Sequence, residues 1–102
     1  MQITRKIWVN GVFDVLHRGH IELFNFAKNQ GGYLTVGIDA DKRVKKSKGE
    51  SRPVNNETDR KYFLEAIKYV DEVKIFNSDE QLSNIIKQYK PDCMVIGSDW
   101  MG

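Results

Sequence analysis

Four short apolar, β-branched runs recur along the chain: "KIWVN" at 6–10, "YLTVGI" at 33–38, "EVKIF" at 72–76 and "DCMVIG" at 92–97. Between them lie segments with helical spacing, and this alternation restricts the fold more than any other feature. "HIELFNFAKNQGG" sets Ile21, Leu23, Phe24 and Ala27 at helical intervals and closes on Gly31 and Gly32. "NETDRKYFLEAIKYV" opens with a capping asparagine and first-turn acids, then lines up Tyr62, Phe63, Ala66, Ile67 and Val70. "SDEQLSNIIKQYKP" begins with a capping box from Ser78 to Gln81, carries Leu82, Ile85, Ile86 and Tyr89 on one face, and stops at Pro91. Strands separated by helices pair in parallel with the helices covering both faces. The expected fold is therefore α/β, a Rossmann-like three-layer sandwich around a parallel sheet of about four strands, in a single domain over residues 1–102. Ligands of such sheets bind beyond the carboxyl ends of the strands.

Hydrophobic residues make up 40% and charged residues 29% of the chain, the balance of an ordinary globular domain. No apolar run is long enough to span a bilayer, and "MQITRKIWVN" lacks the apolar core of a secretory leader, so no membrane partner and a cytoplasmic location are expected. Cys93, the one cysteine, reads as a small buried hydrophobe. Net charge is only +2, yet Lys42, Arg43, Lys45, Lys46, Lys48 and Arg52 face a single acid, Glu50, within eleven residues. They fall in the stretch 39–55, which is far longer than a usual strand-to-helix connection and reads as a loop without structure of its own. A cationic loop at the ligand edge suits a phosphate lid.

"GVFDVLHRGH", 11–20, spans the turn from the first strand into the first helix. His17 and His20 stand three apart, on one side of a helix start whose free N–H groups and dipole favour an anion, and Gly19 lets a ligand approach the backbone. Two imidazoles, a helix amino end and a cationic loop suit a triphosphate. The pair could instead ligate zinc or be plain polar residues at a helix start, and the basic loop could be a solvated charge run or contact nucleic acid. A lack of any other basic face speaks against the nucleic acid.

The stretch "GVFDVLHRGH" resembles the cytidylyltransferase-like nucleotidyltransferase superfamily, whose members carry Gly-x-Phe-Asp followed by His-x-Gly-His. "KGESRPVNNETDR" is similar to sugar-phosphate adenylyltransferases that make ADP-heptose, whereas "KYVDEV" and "GSDW" are closer to glycerol-3-phosphate cytidylyltransferases. The resemblance implies that Gly11, Val12, Phe13, His17, Gly19, His20, Asp99 and Trp100 border the nucleotide. It gives His17, His20, Lys48 and Arg60 catalytic contacts with phosphate, and places Asp14, Asp41 and Lys68 near the acceptor. Asp14 equally suits a cap, Arg60 an exposed helix surface and Trp100 plain packing. Val12 stands where many relatives have threonine, and Lys68 where the glycerol-phosphate enzymes have arginine. Relatives also continue through a Ser/Thr-rich segment and a final helix, so a carboxyl-terminally shortened fold is expected.

What the resemblance implies is attack of an acceptor phosphate on the α-phosphorus of CTP or ATP, with pyrophosphate leaving in line. The nucleophile is already ionised, so alignment and charge stabilisation suffice and no activated serine or cysteine is needed. Magnesium is expected with the nucleotide, held by phosphate oxygens or Asp14. Glycerol 3-phosphate with CTP is the narrow choice. Heptose 1-phosphate with ATP is the alternative, and a non-catalytic nucleotide-binding module a third. A homodimer is implied by resemblance alone.

Overall fold

A computed structural model describes residues 4–95. In chain order the elements are β1 (Arg5–Gly11), α1 (Arg18–Asn29), β2 (Gly32–Asp39), α2 (Asp41–Lys48), α3 (Glu57–Glu65), β3 (Glu72–Phe76), α4 (Asp79–Tyr89) and β4 (Cys93–Met94). All four strands are parallel, in the order β3-β2-β1-β4. The chain builds outward from β1 through β2 to β3, then returns to add β4 on β1's other side. That reversal puts a topological switch point between β1 and β4.

Strand alternation separates the two faces. Ile7, Val9, Leu34, Val36, Ile38 and Val73 form one face and meet Leu23, Phe24 and Ala27 of α1 and Leu64 of α3 in a single core. The opposite face is mixed. Trp8 lies there fully buried, tilted against Tyr89 of α4 with ring centres 5.9 Å apart, and its indole N–H donates to Asn10 Oδ1 at 2.9 Å. Gly37 makes room for it, because a Cβ at that position would overlap the indole ring. Tyr33, Thr35, Glu72 and Lys74 share this face, and α4 covers it without fully burying any of its own residues. Among the described residues no helix is long and apolar enough to cross a membrane.

Several expectations need correction. The stretch 39–55 is not a bare loop, since Asp41–Lys48 is helical with Asp41 in its first turn and Lys45, Lys46 and Lys48 in its last, charges that complement the helix dipole. Only Val44 of this helix is buried, so no apolar stripe announces it. The helix after it starts where expected, with the Asn56 side chain accepting from Asp59 N–H, but ends at Glu65. Its buried residues are Arg60 and Leu64, while Tyr62 and Phe63 of the expected stripe face solvent. The Ser78 cap of α4 forms as read, and Lys90 closes that helix in a left-handed conformation before Pro91. Among the described residues Cys93 is exposed, on β4, and not buried as read.

Candidate active site

Past the carboxyl end of β1 the backbone turns sharply. Phe13 sits at φ 49, a left-handed conformation uncommon for a bulky residue. Packing holds it there: its ring is edge-on to His20 (5.4 Å) and to Phe24 (5.1 Å), and it is 3% exposed. The turn delivers His17 as the N-cap of α1. Gly19 N–H donates to His17 Nδ1 at 3.0 Å, and His17 N–H donates to His20 Nδ1 at 3.2 Å. The result is a capping box made of two imidazoles, with ring centres 4.0 Å apart and planes 31° from parallel. Because each Nδ1 accepts a backbone hydrogen, the neutral ring carries its own hydrogen on Nε2. Spacing alone predicted the shared side; the reciprocal cap explains why it persists.

Both rings line one cavity of about 340 Å³ with Val12, Phe13, Asp14, Val15, Lys48 and Arg52. Lys48 is the last residue of α2 and exposed. Gly49 follows it at φ 102 and ψ 167, a conformation closed to residues with a side chain, and redirects the chain across the cleft mouth. Asp14 fastens the returning loop. One of its oxygens accepts from Val54 N–H and the other from Asn55 N–H, both at 2.7 Å, while the Asn55 amide donates to Asp14 O. Asp14 is therefore an anchor for the cleft wall, and His17 caps the helix in its stead.

Arg60, expected at the phosphates, and Asp41, expected near the acceptor, are paired with each other instead. The Arg60 side chain is fully buried, and its hydrogens go to Asn55 O (3.0 Å), Val12 O (3.0 Å), Asp39 O (2.7 Å) and Asp41 Oδ1 (2.7 Å). One guanidinium thus joins the turn after β1, the end of β2, the start of α2 and the loop before α3. Nothing in the residue type betrays this, since an arginine in a helix's first turn is ordinarily solvated. Lys68 follows α3 and precedes β3, which places it at the amino ends of the strands, away from the cleft; its ammonium lies over the Tyr69 ring at 5.1 Å. Gly11, at the buried end of β1, leads into the cleft. Asp99 and Trp100 lie outside the described residues. Arg52 and Val15 line the cleft without having been singled out, and the signal for Arg52 was its place in "SRPVN", just beyond the lysine expected to work.

The donors present are hard to reconcile with a protein-held metal. Both Asp14 oxygens are committed to N–H groups, and among the described residues no group of three or more His, Cys, Asp or Glu could hold an ion. The oxygens suited to magnesium are those of a nucleotide's own phosphates.

A parallel α/β sheet carries a cleft with two cations just past the carboxyl end of β1, beside the amino end of α1, the edge at which such sheets take ligands and the helix end that favours anions. The comparisons narrow that class of fold. The family model described as cytidylyltransferase-like matches residues 8–102, and the chain belongs to that family. It is 47% identical over 96 residues to the bifunctional protein HldE of Campylobacter fetus subsp. fetus, covering 94% of this chain and 21% of that one. It is 46% identical over 100 residues to HldE of Campylobacter jejuni subsp. jejuni, covering 97% and 22%. The chain thus spans about a fifth of the curated relatives it matches. A lipopolysaccharide core biosynthesis protein from Thermoplasma volcanium shares the fold with a TM-score of 0.77 at 25% identity, over 88% of this chain and 71% of that one.

Proposed function

We propose that the chain is a nucleotidyltransferase domain that moves a nucleoside monophosphate, AMP in the favoured reading, onto a sugar phosphate and releases pyrophosphate. The observation that carries this is the double-imidazole cap, which holds His17 and His20 on one cavity, beside a helix amino end, together with Lys48 and Arg52. The nucleotide's phosphates would lie along the first turn of α1, where His17 and His20 donate to them. An acceptor phosphate, already ionised, attacks the α-phosphorus in line; one phosphorus–oxygen bond forms, the bond to pyrophosphate breaks, and no proton need leave the nucleophile. Lys48 offsets the repulsion between the two anions. Arg60 and Asp41 contribute by holding the cleft's walls together.

Glycerol 3-phosphate with CTP gives way to a sugar phosphate with ATP for two reasons. The relatives found are HldE proteins. In addition, "SRPVN" supplies Arg52 to the cleft, whereas Lys68, in the stretch that favoured glycerol 3-phosphate, lies at the far end of the strands. Magnesium would enter on the nucleotide. Pyrophosphate release measured with ATP or CTP against a panel of sugar 1-phosphates and glycerol 3-phosphate tests the reading. Release is expected with ATP and a heptose 1-phosphate; binding of nucleotide with no release for any acceptor would instead make the chain a nucleotide-binding module.

A further inference from the structure

Among the described residues, four arginines approach the carboxyl ends of the strands, and three of them are committed; Arg18, in the exposed first turn of α1, pairs with Glu22 at 3.0 Å. Arg60 spends its donors on three carbonyls and Asp41. Arg43 is paired with Asp39 at 2.8 Å and Asp79 at 3.0 Å. Arg52 differs. Its side chain is half exposed, and its one ion pair, to Asp14 Oδ2, is 3.9 Å long, beyond the range of a charge-assisted hydrogen bond. That carboxylate already accepts two backbone hydrogens, so it holds the guanidinium near the cleft without saturating it.

We infer that Arg52 is the residue that grips the acceptor's phosphate, an assignment that rests on the transferase reading above. The cleft must take two anions. The amino end of α1, with His17 and His20, offers the place for the nucleotide. The cations that line the same cavity are Lys48 and Arg52. Of these two cations only Arg52 offers a planar fork that matches a phosphate through two parallel N–H···O bonds; Lys48 is a point charge. A forked donor facing the nucleophile's phosphate would select acceptors carrying a phosphate monoester and leave nucleotide affinity to the imidazoles.

Calorimetric titration of a heptose 1-phosphate into the chain saturated with α,β-methylene-ATP reads this directly, with pyrophosphate release from ATP measured in parallel. Arg52→Lys, which keeps the charge and loses the fork, is expected to weaken acceptor binding about 10-fold and Arg52→Gln more, the scale of a lost charge-assisted hydrogen bond. Nucleotide affinity should stay within about two-fold, and the melting temperature should move by less than about 4 °C, as for a change that does not alter the fold. Unchanged acceptor affinity in both variants, an equal loss for nucleotide and acceptor, or no acceptor binding by the unaltered chain would overturn the assignment. The transferase reading fails separately, if the unaltered chain binds both ligands and releases no pyrophosphate.

Discussion

At positions 17 and 20 the helix start is closed by imidazole nitrogen instead of the hydroxyl or amide oxygen usual there. Nδ1 serves the fold, and in the proposed function Nε2 of His17 serves the nucleotide, so the two roles can be separated by substitution. His17→Ala removes both, and is expected to cost about 1 kcal/mol of stability, the scale of a lost cap, and about 100-fold in turnover, the scale of one lost preorganised donor. His17→Asn restores a capping acceptor; urea unfolding should recover most of the lost stability while pyrophosphate release stays low. Recovery of both together would mean that the ring only caps. Arg60→Ala leaves three carbonyls and Asp41 without their shared donor, and should cost about 3 kcal/mol, as when one partner of a buried ion pair is removed. Equilibrium urea unfolding measures it, and a loss below about 0.5 kcal/mol, the level of an ordinary surface change, would contradict the strut.

The element most particular to the cleft is α2 with its glycine stop. Gly49→Ala meets no neighbour within 4 Å, yet its φ of 102 is closed to alanine, so a loss of about 1–3 kcal/mol is expected from backbone strain alone. Urea unfolding reads that loss, and an unchanged midpoint would show that the turn relaxes freely. This helix also marks where reading from sequence stops. Strands β1, β2 and β3 were found nearly to the residue because their runs are short, rich in β-branched and aromatic residues and set off by helical segments, and the caps of α3 and α4 because Asn and Ser announce themselves locally. α2 was taken for a loop because a helix with one buried residue leaves no periodic trace. Tyr62 and Phe63 were taken for core because aromatic residues at helical spacing look alike on either face. At the site, the shared side of the two histidines could be read because it depends on three-residue spacing, whereas the burial of Arg60 depends on loops that meet only in the folded chain.

Across the whole molecule, the sheet's second face gives up apolar burial for a polar lattice, and this carries a pH dependence. Burial first, then the charge of Glu72, raises the Tyr33 phenol above its ordinary value, and burial chiefly raises Tyr89. A group whose folded pKa is raised contributes stability that is complete below its unfolded pKa and lost as pH climbs through the folded one. For these phenols the loss begins near pH 10, so the urea midpoint should decline above about pH 10. Replacing both by phenylalanine should flatten that alkaline limb, and an unaltered limb would place its origin elsewhere. Arg60 carries a different consequence at this scale. Since a single guanidinium ties together four segments, the backbone it joins at Val12, Asp39, Asp41 and Asn55 is expected to open together. The amide hydrogens of Asp41, Val54 and Asn55, distant in sequence, should exchange with deuterium as one cooperative set, making the pocket a unit of breathing in its own right.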